Sequence, residues 1–136
     1  MTAKLDYIAI RNEFMAEWDD LTPVAEENLS FEPPSNKIPY IYFAVTSTES
    51  QAISIGVHST RNRAGVVMIT AYCPENSGPG DMLDIEDRIH SIFQSNGVIT
   101  NVVFGPISVQ NVGRYKKGYW CKTYLINFDS YKFYNP

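Results

Sequence analysis

Gly65-Val-Val-Met-Ile-Thr-Ala-Tyr-Cys73, the breaker segment Pro74 to Gly80 and the run from Asp81 to Gly97 together decide the fold. The first piece is rich in β-branched and aromatic side chains and carries no charge, which suits a central strand covered on at least one face. Proline and glycine then stop it. Beyond Asp81, Leu83, Ile85, Ile89, Ile92 and Phe93 recur so as to lay one apolar stripe along a helix, with Asp84, Glu86, Asp87 and Arg88 facing mostly outward. Such a stripe needs a sheet to lie on.

Toward the N-terminus, Leu5 to Trp18 predicts a second amphipathic helix. Tyr7, Ile10, Phe14 and Trp18 stand three, four and four apart, and Ile8 and Met15 widen the stripe. Asp19-Asp20 and Pro23 end it, because the residue before a proline is pushed out of helical geometry. Four prolines between Pro23 and Pro39 favour extended or turning backbone, so a short edge strand is expected at Val24 to Ala25, followed by a rigid wrapping loop. Tyr40 to Thr46 alternates as a strand with apolar groups on both faces. Thr46 to Arg63 is polar apart from Ile53, Ile55 and Val57, and predicts a long hairpin with His58 to Asn62 at its tip, projecting from the domain.

Toward the C-terminus, Asn96-Gly97 is a helix stop. Val98 to Phe104 and Ile107 to Val112 predict two strands divided by Gly105-Pro106, Gly113 to Gly118 a turn, and Tyr119 to Phe128 the last long strand, with 129–136 as an extension. Strands adjacent in sequence can pair through hairpins. The expected fold is therefore α+β: a largely antiparallel or mixed sheet, two amphipathic helices on one face, and a long projecting β-hairpin, all within one domain spanning 1–136.

Composition narrows the functional classes. Apolar residues at 44% and charged residues at 19% are globular values. No run approaches the roughly 18 apolar residues of a membrane span, and the first ten residues lack the layout of a secretory signal, so a soluble, intracellular chain is expected. Cys73 and Cys121 stand far apart and read as reduced thiols, while His58 and His90 belong to no ligand-like spacing, so neither a metal nor a cofactor is expected. Charge is unevenly divided: up to Gly97 there are fourteen acids and six bases, net −8, and from Val98 onward one acid and five bases, net +4. That polarity suits head-to-tail contact between copies.

Catalytic patterns are missing from the sequence. Asp84, Glu86 and Asp87 cluster where carboxylates complement a helix dipole. Ser77-Gly-Pro-Gly80 has no following lysine and places a proline where a phosphate-binding amide would be wanted. The expectation is a non-enzyme. Arg61, Arg63, Arg114, Lys116 and Lys117 sit near Tyr115 and Tyr119, an interleaving that a base-stacking surface would use, but the acidic balance and pI near 5.1 weigh against nucleic acid as the main partner. These five cations are instead the candidate subunit or tube interface.

The stretch Trp18-Asp-Asp-Leu-Thr-Pro23-Val-Ala-Glu-Glu-Asn28-Leu-Ser-Phe31-Glu-Pro33-Pro34, followed by Pro39-Tyr40-Ile-Tyr-Phe43, resembles the opening of tail terminator proteins from long-tailed bacteriophages. The later strand ending Ala-Tyr-Cys-Pro74, its glycine-rich turn and its helix match in order. The resemblance implies a structural virion protein of the tail's neck-proximal end, assembled in the host cytoplasm. Its copies would form a hexameric ring that caps the tail tube, stops tube polymerisation and offers a joining surface to the head-tail connector. DNA would pass through the lumen without specific binding, and no membrane is involved. Another neck, head-completion or tube-like phage protein is the alternative; a small cellular enzyme or nucleic-acid binder is the third.

Overall fold

A computed structural model describes residues 3–33, 37–52, 59–95, 98–99, 102–116 and 118–134. In chain order they form α1 (Ala3–Trp18), β1 (Val24–Glu26), β2 (Tyr40–Ala52), β3 (Ser59–Pro74), α2 (Gly80–Ser95), β4 (Val98–Ile99), β5 (Val102–Lys116) and β6 (Tyr119–Tyr134). The strands make a mixed sheet in the order β1-β2-β3-β6-β5-β4. Only β1 on β2 is parallel, with Val24 opposite Ile41; the other pairs are antiparallel. The expected α+β class and the central place of the Gly65 strand are both present.

Both helices lie on one face. Ile10, Phe14 and Trp18 of α1 and Met82, Ile85, Ile89, Ile92 and Phe93 of α2 share a core with Ile41, Phe43, Val67, Ile69, Tyr124, Ile126 and Phe128 of the sheet. On the other face, Phe31 from the proline-rich segment packs on Tyr40 at 5.3 Å between centroids, and Tyr40 stacks on Tyr72 at 4.7 Å. Thr70 and Thr123 share a buried hydrogen bond of 3.1 Å there.

Several sequence expectations need correction. In α2 the core position is Met82, whereas Leu83 is 47% exposed, because Met82, Ile85, Ile89 and Ile92 keep the narrower spacing of three, four and three. Gly105-Pro106 does not divide two strands: β5 runs through it with a register shift between Phe104 and Ile107, the bulge that proline and glycine permit. The β2–β3 pairing continues to Ala52 opposite Arg61, so Arg61 and Asn62 lie in the paired arm and not at a tip; 53–58 lie outside the described residues, as do Asn96-Gly97. Beyond Phe128, β6 continues to Tyr134 and pairs with Ser59 to Ala64, so the ribbon has three strands.

Polar side chains tie the layers. Two residues expected to face outward are engaged: Arg88 donates to the Glu17 and Trp18 carbonyls at 3.2 and 2.8 Å, capping α1, whose own last turn holds no cation. Glu86 accepts the Tyr124 hydroxyl at 3.1 Å. Arg11 binds both carboxylate oxygens of Glu26, the second at 3.0 Å, fixing β1 to α1. The Arg11 hydrogen bond, with its charge, holds the Glu26 carboxyl below its ordinary value. A depressed carboxyl contributes stability above the unfolded-state value, and that stability is lost as pH falls through the folded one. Because Arg11 is 37% exposed, solvent screening leaves the pair about 0.5–1 kcal/mol. Glu26→Gln should lower stability by that amount at pH 7 in urea titrations, and the gap from the parent should close as pH falls below the ordinary carboxylate range and Glu26 takes up its proton.

Candidate assembly surfaces

The candidate cations fall into two groups. Arg63 on β3 pairs in register with Ser50 and Ser130, and Arg61 stands opposite Ala52 and Lys132. Arg114 and Lys116 occupy the far end of β5, in register with Trp120 and Tyr119. Ser130 and Trp120 are ten positions apart on β6, so the groups stand roughly 33 Å apart along the sheet. They form no common patch. Lys117 lies outside the described residues. The pairing of Lys116 with Tyr119 makes the turn tighter than the Gly113 to Gly118 loop expected from sequence, and Gly118 at φ 94 supplies the left-handed position it needs.

Arg63 is engaged within the chain. Its Nε lies 3.9 Å from Oδ2 of Asp6, a residue with 0% exposure on α1, whose other oxygen accepts the Ser130 hydroxyl at 2.7 Å. This carboxylate fastens the start of α1 to β3 and β6 where the three-stranded ribbon begins. Sequence reasoning missed it because Asp6 lies beside the apolar stripe and its partner is 124 positions away.

Among the described residues, two grooves open at the end where β2 begins. One, of about 180 Å³, lies between the α1–β1 turn, Ile38-Pro39 and the first turns of α2. The other, of about 230 Å³, is lined by Leu29, Phe31, Tyr40, Tyr42 and Tyr72. Cys73 and Cys121 are free and buried. Tyr72 pairs with Cys121 and Cys73 with Trp120, which sets the two cysteines on opposite faces of the sheet. Burial, with the Asp81 charge behind it, pushes the Cys73 thiol up to about 12, and burial raises Cys121 as well. Both stay protonated and inert at neutral pH. Among the described residues no group of three His, Cys, Asp or Glu side chains is placed to hold a metal ion.

A two-layer subunit with cations at both ends of its sheet and surface grooves has the make-up of an assembly component. Its relatives agree. The family model described as phage tail terminator protein matches residues 8–119, from within α1 to the first residue of β6. The chain belongs to the phage tail terminator family and is a structural tail protein of a phage virion. One solved chain superposes with a TM-score of 0.69 at 19% identity, covering 100% of this chain and 99% of that one, a likeness of fold alone. No curated protein matches the sequence.

Proposed function

We propose that six copies of this chain close into a ring on the finished end of the tail tube, stop further addition of tube subunits, and present the opposite surface to the head-tail connector. Family membership across residues 8–119 carries this reading. The division of charge into an acidic part up to Gly97 and a basic part after it supports head-to-tail contact, since a ring repeats one heterologous interface whose two sides must complement each other.

In this reading the β2–β3–β6 ribbon, including Thr46 to Ala64, reaches toward the tube or an adjacent copy, and Arg61 and Arg63 stand along it. Arg114, Lys116 and Lys117 meet acidic residues of the next copy. The lumen carries few lysines or arginines, because cations there would hold passing DNA by its phosphates. Arg114→Glu with Lys117→Glu should cut the ring population at least about tenfold, through like charges across a repeated contact. Light scattering and electron microscopy read the change; unchanged rings would remove these residues from the interface.

A further inference from the structure

The smaller groove has the make-up of a receptor for a basic side chain. Leu21, Pro23, Ile38 and Pro39 line it together with Asp81 and Asp84, both exposed on the first turns of α2. Leu21 and Ile38 are each 38% exposed, so two large aliphatic side chains remain partly uncovered in the free chain. A volume of about 180 Å³ is several times the ~30 Å³ share of one water and fits a side-chain stem. Among the described residues, no cation lies within ion-pair distance of Asp81 or Asp84. Exposed Asp19 and Asp20, just before Leu21, add further negative charge. Of the cations close by in sequence, Arg88 is engaged in capping α1, and the Lys37 ammonium lies beside Gly118. An apolar floor under unpaired carboxylates suits lysine or arginine, whose long stems seek apolar surface while the charged head seeks an anion.

We propose that this groove receives the basic β5–β6 hairpin, with Arg114 and Lys116, of a second copy of this chain. The inference rests on the ring reading above and names the two sides of its repeated contact. Sheet register places them at one height: Tyr40 at the start of β2 pairs with Tyr72, Tyr72 with Cys121, and Cys121 with Gly113 at the end of β5. The Glu75 amide, donating to the Gly118 carbonyl at 2.8 Å, holds the hairpin at that end. Laterally, β3 and β6 separate β2 from β5, a displacement of roughly 14 Å at the usual strand spacing. Complementary surfaces at equal height and displaced sideways are what a head-to-tail contact between identically oriented copies requires. Charge supplies the pairing: carboxylates line the groove, and the chain after Val98 is net +4.

Sedimentation velocity on the full chain tests this with two charge reversals. Asp81→Lys with Asp84→Lys, and separately Arg114→Glu with Lys116→Glu, should each weaken self-association about 100-fold, through like charges brought face to face. Mixed in equal amounts, the two variants should assemble again, because an even-numbered ring can alternate them and every contact then joins opposite charges. The milder Asp81→Asn with Asp84→Asn, whose melting curve verifies folding, should weaken association about tenfold. A wild type that stays monomeric at every concentration overturns the ring reading and the groove's occupant with it. An oligomeric wild type indifferent to both reversals overturns the groove assignment alone. Reversals that dissociate the ring without rescue on mixing assign the groove to a different partner and also overturn the proposal.

Discussion

Gly65→Val should lower the melting midpoint by on the order of 10 °C or more, the response to about 3 kcal/mol in a chain of this size. Gly65 sits mid-strand in β3, directly opposite Phe128, whose ring lies across the space a side chain would take. A Cβ built there would stand 2.6 Å from Phe128 Cε1 and 2.7 Å from the Thr46 carbonyl oxygen. The ring could swing only by leaving a core position where it is 2% exposed, and the carbonyl could move only with β2. Valine adds a three-carbon isopropyl group to a site with no room for one carbon. Gly105→Ala is the internal contrast: its Cβ would meet nothing closer than 3.5 Å, so its midpoint should move by no more than a few degrees. Equal responses at the two glycines in thermal melts would contradict the packing described for β3.

Phe14→Ala should cost about 3–5 kcal/mol in urea unfolding, the range for deleting a fully buried aromatic ring. Phe14 is where three elements meet: its ring packs on Trp18 of α1 at 5.1 Å, Phe43 of β2 at 4.5 Å and Phe93 of α2 at 6.1 Å. Removing it leaves these rings without a shared neighbour, and stiff aromatic walls collapse poorly into the space. A loss under about 1 kcal/mol would mean that α1 adds little to the core.

These two sites also mark what the sequence discloses. Phe14 stands in a stripe of period three to four, and Gly65 to Cys73 is an uncharged run of β-branched and aromatic residues ended by proline and glycine, so local pattern located both helices and the central strand. Polar ties across the fold leave no such trace. Arg88 caps a helix 70 positions earlier, and Asp6 binds Ser130 from the other end of the chain; neither follows from the neighbours of the residue in sequence. Gly105-Pro106 reads as a break in one dimension, and only pairing with β6 reveals a bulge within a continuous strand. For the candidate interface, the sequence nominates cations but cannot place them. Nothing in a linear pattern says that Arg63 and Arg114 stand at opposite ends of the sheet, or that Asp81 and Asp84 stand beside Leu21 and Ile38.

The most direct measurement of the central claim is the length of tail tubes growing from the phage's own tube subunit, imaged by electron microscopy with and without this protein. Added during growth, it should fix each tube at the length reached at that moment and leave a ring at one end. Tubes that go on lengthening at the unsupplemented rate, with both ends bare, would contradict a terminating role.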